Sequence, residues 1–127
     1  MQKNIYLVLF VIVSIVPVFA ADWKEIYPKN YIDVSSITWH KDTVSFWIKS
    51  LNPGTWKPFK NKKIWYSKDY IAVDCKEKKF AIKSSLFYDL QGGVIDSYDV
   101  NYDSILDWNR IVPDTNGDIL YQAFCKY

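Results

Sequence analysis

The chain ends in the stretch PDTNGDILYQAFCKY, from Pro113 to Tyr127, and this stretch decides the fold. Thr115 followed three residues later by Asp118 is typical of a helix N-terminus, where the two side chains cap free backbone amides. Apolar residues then recur on one side of a 3.6-residue period: Ile119, Leu120, Ala123 and Phe124. The stretch therefore predicts a capped amphipathic helix that needs an apolar surface to pack on.

The opposite end of the chain, residues 1–20, has the pattern of a secretory signal peptide. Lys3 supplies an early positive charge, an apolar run extends from Ile5 to Phe19, and Val18-Phe19-Ala20 resembles a cleavage motif. A transmembrane anchor is the alternative, but the run is shorter than the ~20 residues that span a bilayer, and Pro17 interrupts it. We predict an exported chain with one mature domain, residues 21–127, in the periplasm, at the cell surface or secreted.

The chain has two cysteines, Cys75 and Cys125, and the second lies in the predicted helix. Two cysteines in an exported protein favour a disulfide bond with each other. In the loop-entropy model, closing about 50 residues stabilises a fold by roughly 4 kcal/mol. The alternative is a bridge between two chains. A bond within the chain would fix the helix to the segment that Cys75 ends.

Between the signal peptide and the helix, strand-like segments alternate with turn residues. Val44, Phe46 and Ile48 share one face of a half-buried strand, while Ser45, Trp47 and Lys49 share the other. Hairpin-linked strands without intervening helices predict an antiparallel meander, hence an α+β fold. The predicted strands are Trp23 to Tyr27, Tyr31 to Asp33, Thr43 to Leu51, Lys63 to Ser67, Asp69 to Cys75, Phe80 to Tyr88 and Val94 to Val100, and Asp103 to Ile111 is a predicted linker.

Charge and composition restrict the partners only weakly. Without the signal peptide the chain has 15 basic and 14 acidic residues, so its net charge of +1 selects no partner. Aromatic residues make up 18% of the chain, with six Trp and ten Tyr, which is more than a core of this size hides. Some rings must therefore lie at the surface, where they can serve as contacts.

One segment, from Trp56 to Trp65, combines aromatic rings with positive charge on a predicted hairpin tip. Lysines there suit a sulfated glycan or an acidic protein surface, and rings add rigid contact area. The alternative is a solvated loop whose rings fold back on the sheet. Nucleic acid is a poor partner for an exported protein, and the segment is too short for a membrane-binding helix. The candidate binding residues are Trp56, Lys57, Phe59, Lys60, Lys62 and Lys63.

No catalytic residue, metal site or cofactor is predicted. His40 is the single histidine and has no second ligand or nucleophile beside it in sequence. Asp99 to Asp103 and Asp114 to Asp118 open like calcium loops, but both lack the later glycine and glutamate that such loops need. Glu25 and Glu77 lie in charged, exposed segments, which is unlike a glycosidase pair.

Short matches to one protein family run in order along nearly the whole mature chain. They are Trp23, Tyr31-Ile32-Asp33, Ser36-Ile37, Val44, Trp47, Ser67 to Cys75, Ile82, Ser84, Tyr88, Gly93-Val94, Trp108, Ile111-Val112-Pro113, Gly117, Leu120 and Cys125. Together they resemble the surface-adhesin protein E family of small exported bacterial proteins. The resemblance implies an antiparallel sheet of about six strands with a C-terminal helix tethered to it by a disulfide.

The resemblance also implies adhesion to host matrix or serum proteins. We therefore expect an exported, non-catalytic, adhesin-like binding domain that is a monomer or a weak homodimer. A structural or accessory protein of the bacterial envelope is the alternative, and a small enzyme is the third possibility. Because a family is defined by its core, its binding property need not extend to every member.

Overall fold

The protein is described by a computed structural model over residues 20–100 and 106–126. The predicted signal peptide, apart from Ala20, lies outside the described residues, and the calcium-like segment Asp99 to Asp103 extends beyond them. Over the described ranges the elements are β1 Trp23–Tyr27, β2 Asn30–Asp33, β3 Thr38–His40, β4 Thr43–Leu51, β5 Tyr66–Asp74, β6 Lys79–Tyr88, β7 Val94–Asp99, β8 Asn109–Arg110 and α1 Asn116–Cys125.

The strands form one antiparallel sheet in the order β1-β2-β4-β5-β6-β7. The short β3 pairs with β4, and β8 pairs with β6. These six main strands and the C-terminal helix confirm the predicted α+β fold. Two predicted strands, Lys63 to Ser67 and Asp69 to Cys75, are one strand, because Tyr66 to Asp74 pairs without interruption with β4.

The core lies between one face of the sheet and α1. On β4, Val44, Phe46 and Ile48 are at most 2% exposed, as their alternation predicts. The rings of Phe46 and Phe124 stack with their centroids 4.5 Å apart, so the helix packs directly on the central strand. Each such fully buried side chain contributes about 1.5–3 kcal/mol of transfer free energy.

The start of α1 confirms the predicted cap and corrects one residue of the predicted apolar side. The Thr115 hydroxyl accepts a hydrogen bond from the Asp118 amide at 3.4 Å, and the Asp118 carboxylate accepts one from the Asp114 amide at 3.1 Å. The apolar pattern predicts Ile119 on the buried side, but its side chain is 40% exposed. The buried side centres on Leu120 and Tyr121, and each residue turns 100° around the axis, which moves Ile119 away from the sheet.

A disulfide joins Cys75, just after β5, to Cys125, the last residue of α1. The two Cα atoms lie 5.4 Å apart, and the bond closes a sequence separation of 50 residues. Neither cysteine is free. The bond within the chain is therefore confirmed, and it tethers the far end of the helix to the sheet.

A bulge in β6 decides which residues appear on each face of the sheet. Tyr70 pairs with Ser84, but the next residue, Ile71, pairs with Ile82, so Lys83 is an extra residue in β6. An extra residue reverses the alternation of the strand beyond it. Residues of β6 before the bulge therefore face α1 at even positions, and those after it turn their even positions to the opposite face.

The predicted linker Asp103 to Ile111 contains a strand that the sequence does not reveal. Asn109 and Arg110 pair with Phe80 and Lys79 at the edge of β6. Immediately before it, Leu106 and Trp108 line a hollow with Ser45 and Ala72 on the face opposite α1. This short segment covers one end of that face, and within the described ranges no other segment covers the opposite end.

Candidate binding surface

The open end of the sheet face opposite α1 carries a group of aromatic and lysine side chains. They come from five neighbouring strands, β1, β2, β4, β5 and β6. The register places Tyr31 opposite Lys49, Lys49 opposite Lys68, Trp47 opposite Tyr70 and Tyr66 opposite Tyr88. All are partly exposed. We call this group the lysine–aromatic face; its members are Trp23, Tyr31, Trp47, Lys49, Tyr66, Lys68, Tyr70 and Tyr88.

Two lysines lie among the rings of this face. The Lys49 Nζ is 5.2 Å from the centroid of the Trp23 ring and 5.9 Å from those of Tyr31 and Tyr66. The Lys68 Nζ is 5.7 Å from the Trp23 centroid and 5.1 Å from that of Tyr88. Each contact is within the ~6 Å range of a cation–π interaction, worth about 0.5–1 kcal/mol at an exposed site. The rings therefore hold both ammonium groups in place.

The rings also hold one another. Tyr66 and Tyr88 stack with centroids 4.6 Å apart and planes 7° from parallel, and Trp47 and Tyr70 pack at 5.2 Å. Burial, followed by the neighbouring Tyr66, raises the pKa of Tyr88, so its phenol stays neutral. Side chains that are already fixed in the free protein lose little entropy on binding, so covering this surface would carry a small entropic cost.

Asp33 anchors the edge of the face. Its Oδ1 accepts hydrogen bonds from the Asp22 amide at 2.9 Å, the Ser35 amide at 3.1 Å and the Ser35 hydroxyl at 2.6 Å, which caps the single 3-10 turn Val34–Ser36. Burial alone would raise the pKa of Asp33, but these hydrogen bonds and the Lys68 charge lower it. Beside it lies a hollow of about 280 Å³ between Trp23, Lys68 and Tyr88.

The loop of residues 52–65, between β4 and β5, holds the candidate residues named from the sequence. The Asn52 side chain fixes its base: Nδ2 donates to the Ile64 carbonyl at 2.6 Å, and Oδ1 accepts from the Gly54 amide at 2.8 Å. At its tip, Phe59 and Lys62 exchange backbone hydrogen bonds of 3.0 and 2.9 Å. Lys60 and Asn61 between them both have positive φ, at 49° and 63°, which is a type I′ turn.

The lysines of this loop are exposed, whereas two of its aromatic side chains are half-buried. Lys57, Lys60, Lys62 and Lys63 are exposed, with Lys63 lying 4.5 Å from the Trp65 ring centroid and Lys60 lying 5.3 Å from that of Phe59. Phe59 and Trp56 are half-buried, and Trp56 turns toward the side of the sheet that carries α1. The four lysines thus form a solvated positive loop next to the strand end at Tyr66.

The lysine–aromatic face is the part of the surface that sequence reasoning missed. The alternation of β4 already placed Trp47 and Lys49 away from the core. Trp23, Tyr66 and Tyr88 lie far apart in the sequence, and they meet only through strand register and the bulge at Lys83. A register cannot be read from any one strand, so the group was not visible before the sheet was known.

The described residues offer no group of three or more His, Cys, Asp or Glu side chains that would hold a metal ion. In the same part of the chain, α1 is too short and too polar to cross a membrane. The fold and surface define a small α+β domain with one disulfide, in which a helix is tethered across one face of an antiparallel sheet and a lysine–aromatic face is open on the other.

The model of the surface-adhesin protein E family matches residues 23–126, so the chain belongs to this family of surface adhesins. Solved structures agree with the fold. A crystal structure of protein E from non-typeable Haemophilus influenzae has a TM-score of 0.59 at 16% identity, covering 87% of this chain and 79% of that one. A second crystal form of Haemophilus influenzae protein E has a TM-score of 0.59 at 16% identity, covering 87% and 91%. No curated protein matches the sequence.

Proposed function

We propose that the mature protein is a non-catalytic adhesin domain that contacts a host matrix or serum protein through its lysine–aromatic face. The observation that carries this proposal is the position of Lys49 and Lys68. Both ammonium groups lie among rings on an open sheet face, and among the described residues neither forms an ion pair within 4 Å, although the Lys68 charge acts on the neighbouring Asp33. Two such cations favour an anionic partner.

The rings and the charges of the face have different effects on binding. Aromatic side chains that become desolvated at the centre of an interface supply most of its binding energy, and Tyr and Trp are enriched among such residues. Charges steer the approach of a complementary partner and suppress wrong partners. A host protein with a patch of acidic residues can both cover the rings and attract the lysines. A sulfated glycan attached to a matrix protein attracts the lysines.

The exposed loop beside the face extends the proposed contact. Its lysines, Lys57, Lys60, Lys62 and Lys63, lie next to the strand ends that carry Leu51 and Tyr66, so the positive charge of the face continues into the loop. Trp56 and Phe59 support the loop from its less exposed side. The loop thus contributes chiefly charge, and the face contributes charge and apolar area.

The test is binding of the mature protein to immobilised, purified host matrix and serum proteins. The double variant Lys49→Gln/Lys68→Gln should bind about tenfold more weakly, a loss of ~1.4 kcal/mol. Lys76→Gln/Lys79→Gln is the matched control, because these exposed lysines lie at the opposite end of β5 and β6. Equal binding by both double variants and the wild type would contradict the proposal.

A further inference from the structure

The helix α1 covers only part of the sheet face on which it packs, opposite the lysine–aromatic face. An open cleft remains beside the helix. The cleft has a volume of about 500 Å³, within the ~300–1,000 Å³ of small-molecule sites. Its floor is the sheet, and its apolar lining comes from the turn after β1, the β4–β5 loop, β6 and α1. The main lining residues are Tyr27, Trp56, Ile71, Phe80, Ile82 and Leu120.

Among the described residues, Asp69 supplies the one carboxylate in this cleft, whose lining also includes the polar residues Lys29, Asn30, Ser50 and Asn116. Its two oxygens accept hydrogen bonds from the Ser85 hydroxyl at 2.5 Å and, more weakly, from the Ser67 hydroxyl at 3.5 Å. The two serines are almost fully buried, at 8% and 4% exposed. Both hydroxyls donate to the carboxylate, which fixes its orientation and partly stabilises its negative charge but supplies no counter-charge.

The charge of Asp69 has no cation beside it among the described residues. Lys29 also lines the cleft, but it is exposed and forms no ion pair within 4 Å of Asp69. Burial raises the pKa of Asp69, and burial followed by the Asp69 charge raises the pKa of Tyr27. The attraction between this carboxylate and a cation that enters the cleft is stronger than at a fully exposed site, because the surroundings are less polarisable than bulk water.

We propose that this cleft binds a protonated amine or guanidinium group carried on an apolar body, with Asp69 as its counter-ion. The cation would meet the carboxylate at the floor and the faces of Tyr27, Trp56 or Phe80, which attract cations. The apolar body would replace water along Ile71, Ile82 and Leu120. A neutral molecule of the same shape would leave the carboxylate unpaired, and an anion would be repelled.

The same chemistry has two sources, a free small amine and a Lys or Arg side chain presented by a partner. Both place a cation at the end of an apolar stem, so the cleft recognises both by the same contacts. The site lies on the opposite side of the sheet from the lysine–aromatic face. Its occupancy therefore does not depend on the proposed adhesin contact, and either proposal can fail without the other.

The experiment follows the backbone amide signals of the isotope-labelled mature protein by NMR during titration. The probes are tryptamine, its neutral analogue tryptophol and the capped peptide acetyl-Leu-Lys-Leu-amide. Tryptamine should shift the amides of Asp69, Ser85 and Tyr27 in a saturable manner, and tryptophol should bind at least about tenfold more weakly. Binding of the peptide alone would assign the source to a partner side chain, and binding of tryptamine alone would assign it to a free amine.

Two variants distinguish recognition of the cation by Asp69 from non-specific hydrophobic binding. Asp69→Asn keeps the shape, and its Oδ1 can still accept the Ser85 hydrogen bond, while its Nδ2 replaces the oxygen that accepts weakly from Ser67. It should reduce amine binding to the level of tryptophol. Asp42→Asn is the matched control, because Asp42 is exposed and lies about 20 Å along the strand direction from the residue that pairs with Asp69. Equal binding of tryptamine and tryptophol, undiminished binding by Asp69→Asn, or no saturable binding of any cationic probe would overturn the proposal.

Discussion

At the scale of single residues, two aspartates show how position in the sheet sets the behaviour of a carboxyl group. Asp33 accepts three hydrogen bonds and has a Lys68 charge nearby, so its pKa is lowered. Asp69 accepts its hydrogen bonds from two hydroxyls inside a cleft, and burial raises its pKa. The sequence shows both as single acids in strand-like segments, and nothing in the alternation distinguishes them.

We predict that Asp69→Asn stabilises the protein at neutral pH. In the native protein the pKa of Asp69 is above its ordinary value of 3.8, so the native state holds this proton more tightly than the unfolded chain does. The contribution of the Asp69 carboxyl to the free energy of unfolding is therefore most favourable below pH 3.8, and it is lost as the pH rises through the native pKa. The variant should gain about 0.5–2 kcal/mol at pH 7, the usual size of a favourable single substitution.

The measurement is chemical denaturation of both proteins between pH 3 and pH 8. The advantage of Asp69→Asn should shrink as the pH falls and be smallest below pH 3.8, because the wild-type carboxyl is then mostly protonated in both the native and the unfolded state. Asp42→Asn, an exposed control, should follow the wild type throughout. A wild type that is more stable than Asp69→Asn at pH 7 would show that the ionised carboxylate stabilises the fold.

At the scale of secondary-structure elements, the bounds of β4, β6 and α1 follow closely from the sequence, but the bulge within β6 does not. The bounds of β4 and its buried residues follow from simple alternation, and the cap of α1 follows from Thr115 and Asp118. The bulge at Lys83 leaves no comparable pattern in the sequence, because the order of apolar and polar residues in β6 does not show where the alternation reverses. The bulge turns Tyr88 onto the open face, so the candidate surface could not be predicted either.

The disulfide predicts which element loosens first. Cys125→Ser should lower the unfolding midpoint by several degrees or more, because the bond closes a long loop in the unfolded chain. Amide hydrogen exchange should rise in α1 before it rises in β4 and β5, since the central strands keep their own hydrogen-bond ladder. Equal increases in α1 and the central strands would mean that helix and sheet open as one unit.

The loop between β4 and β5 allows charge and ring effects to be separated. Replacing Lys57, Lys60 and Lys62 by Gln should slow association with an anionic partner and flatten its salt dependence, because exposed charges act over about a Debye length. Stability should remain within ~0.5 kcal/mol of the wild type. Association rates at several salt concentrations provide the measurement, and an unchanged salt dependence would remove the loop from the contact.

Trp56 provides the complementary test of the same loop. Its ring is half-buried and lines the Asp69 cleft. Trp56→Ala should therefore destabilise the fold, by less than the ~3–5 kcal/mol of a fully buried aromatic residue, while leaving the association rate unchanged. Denaturation and stopped-flow association check the two effects. A slower association with normal stability would instead place Trp56 in the contact with the partner.

At the scale of the whole molecule, the two faces of one sheet differ in chemistry. One face carries the helix, the core and a cleft with a single carboxylate, and the other presents lysines among aromatic rings. The order of apolar segments, the cap and the cysteines predicted this architecture, because each is a local signal. The division of chemistry between the faces needed the register of all the strands.

The proposed adhesin role requires the domain to be outside the cell envelope. Protease treatment of intact cells should remove the protein, and a membrane-impermeant label should reach its exposed lysines. A periplasmic control protein should be protected in the same cells. Protein that resists protease until the outer membrane is permeabilised would instead support the alternative, an accessory protein of the envelope.

The most direct measurement for the central claim is lysine footprinting of the mature protein with and without a bound host matrix or serum protein. Rates of acetylation are followed at Lys49 and Lys68, with Lys76 and Lys79 as references at the far end of the sheet. The account predicts that the partner slows acetylation of Lys49 and Lys68 and leaves the reference lysines unchanged. Protection of the references, with Lys49 and Lys68 still reactive in the complex, would contradict it.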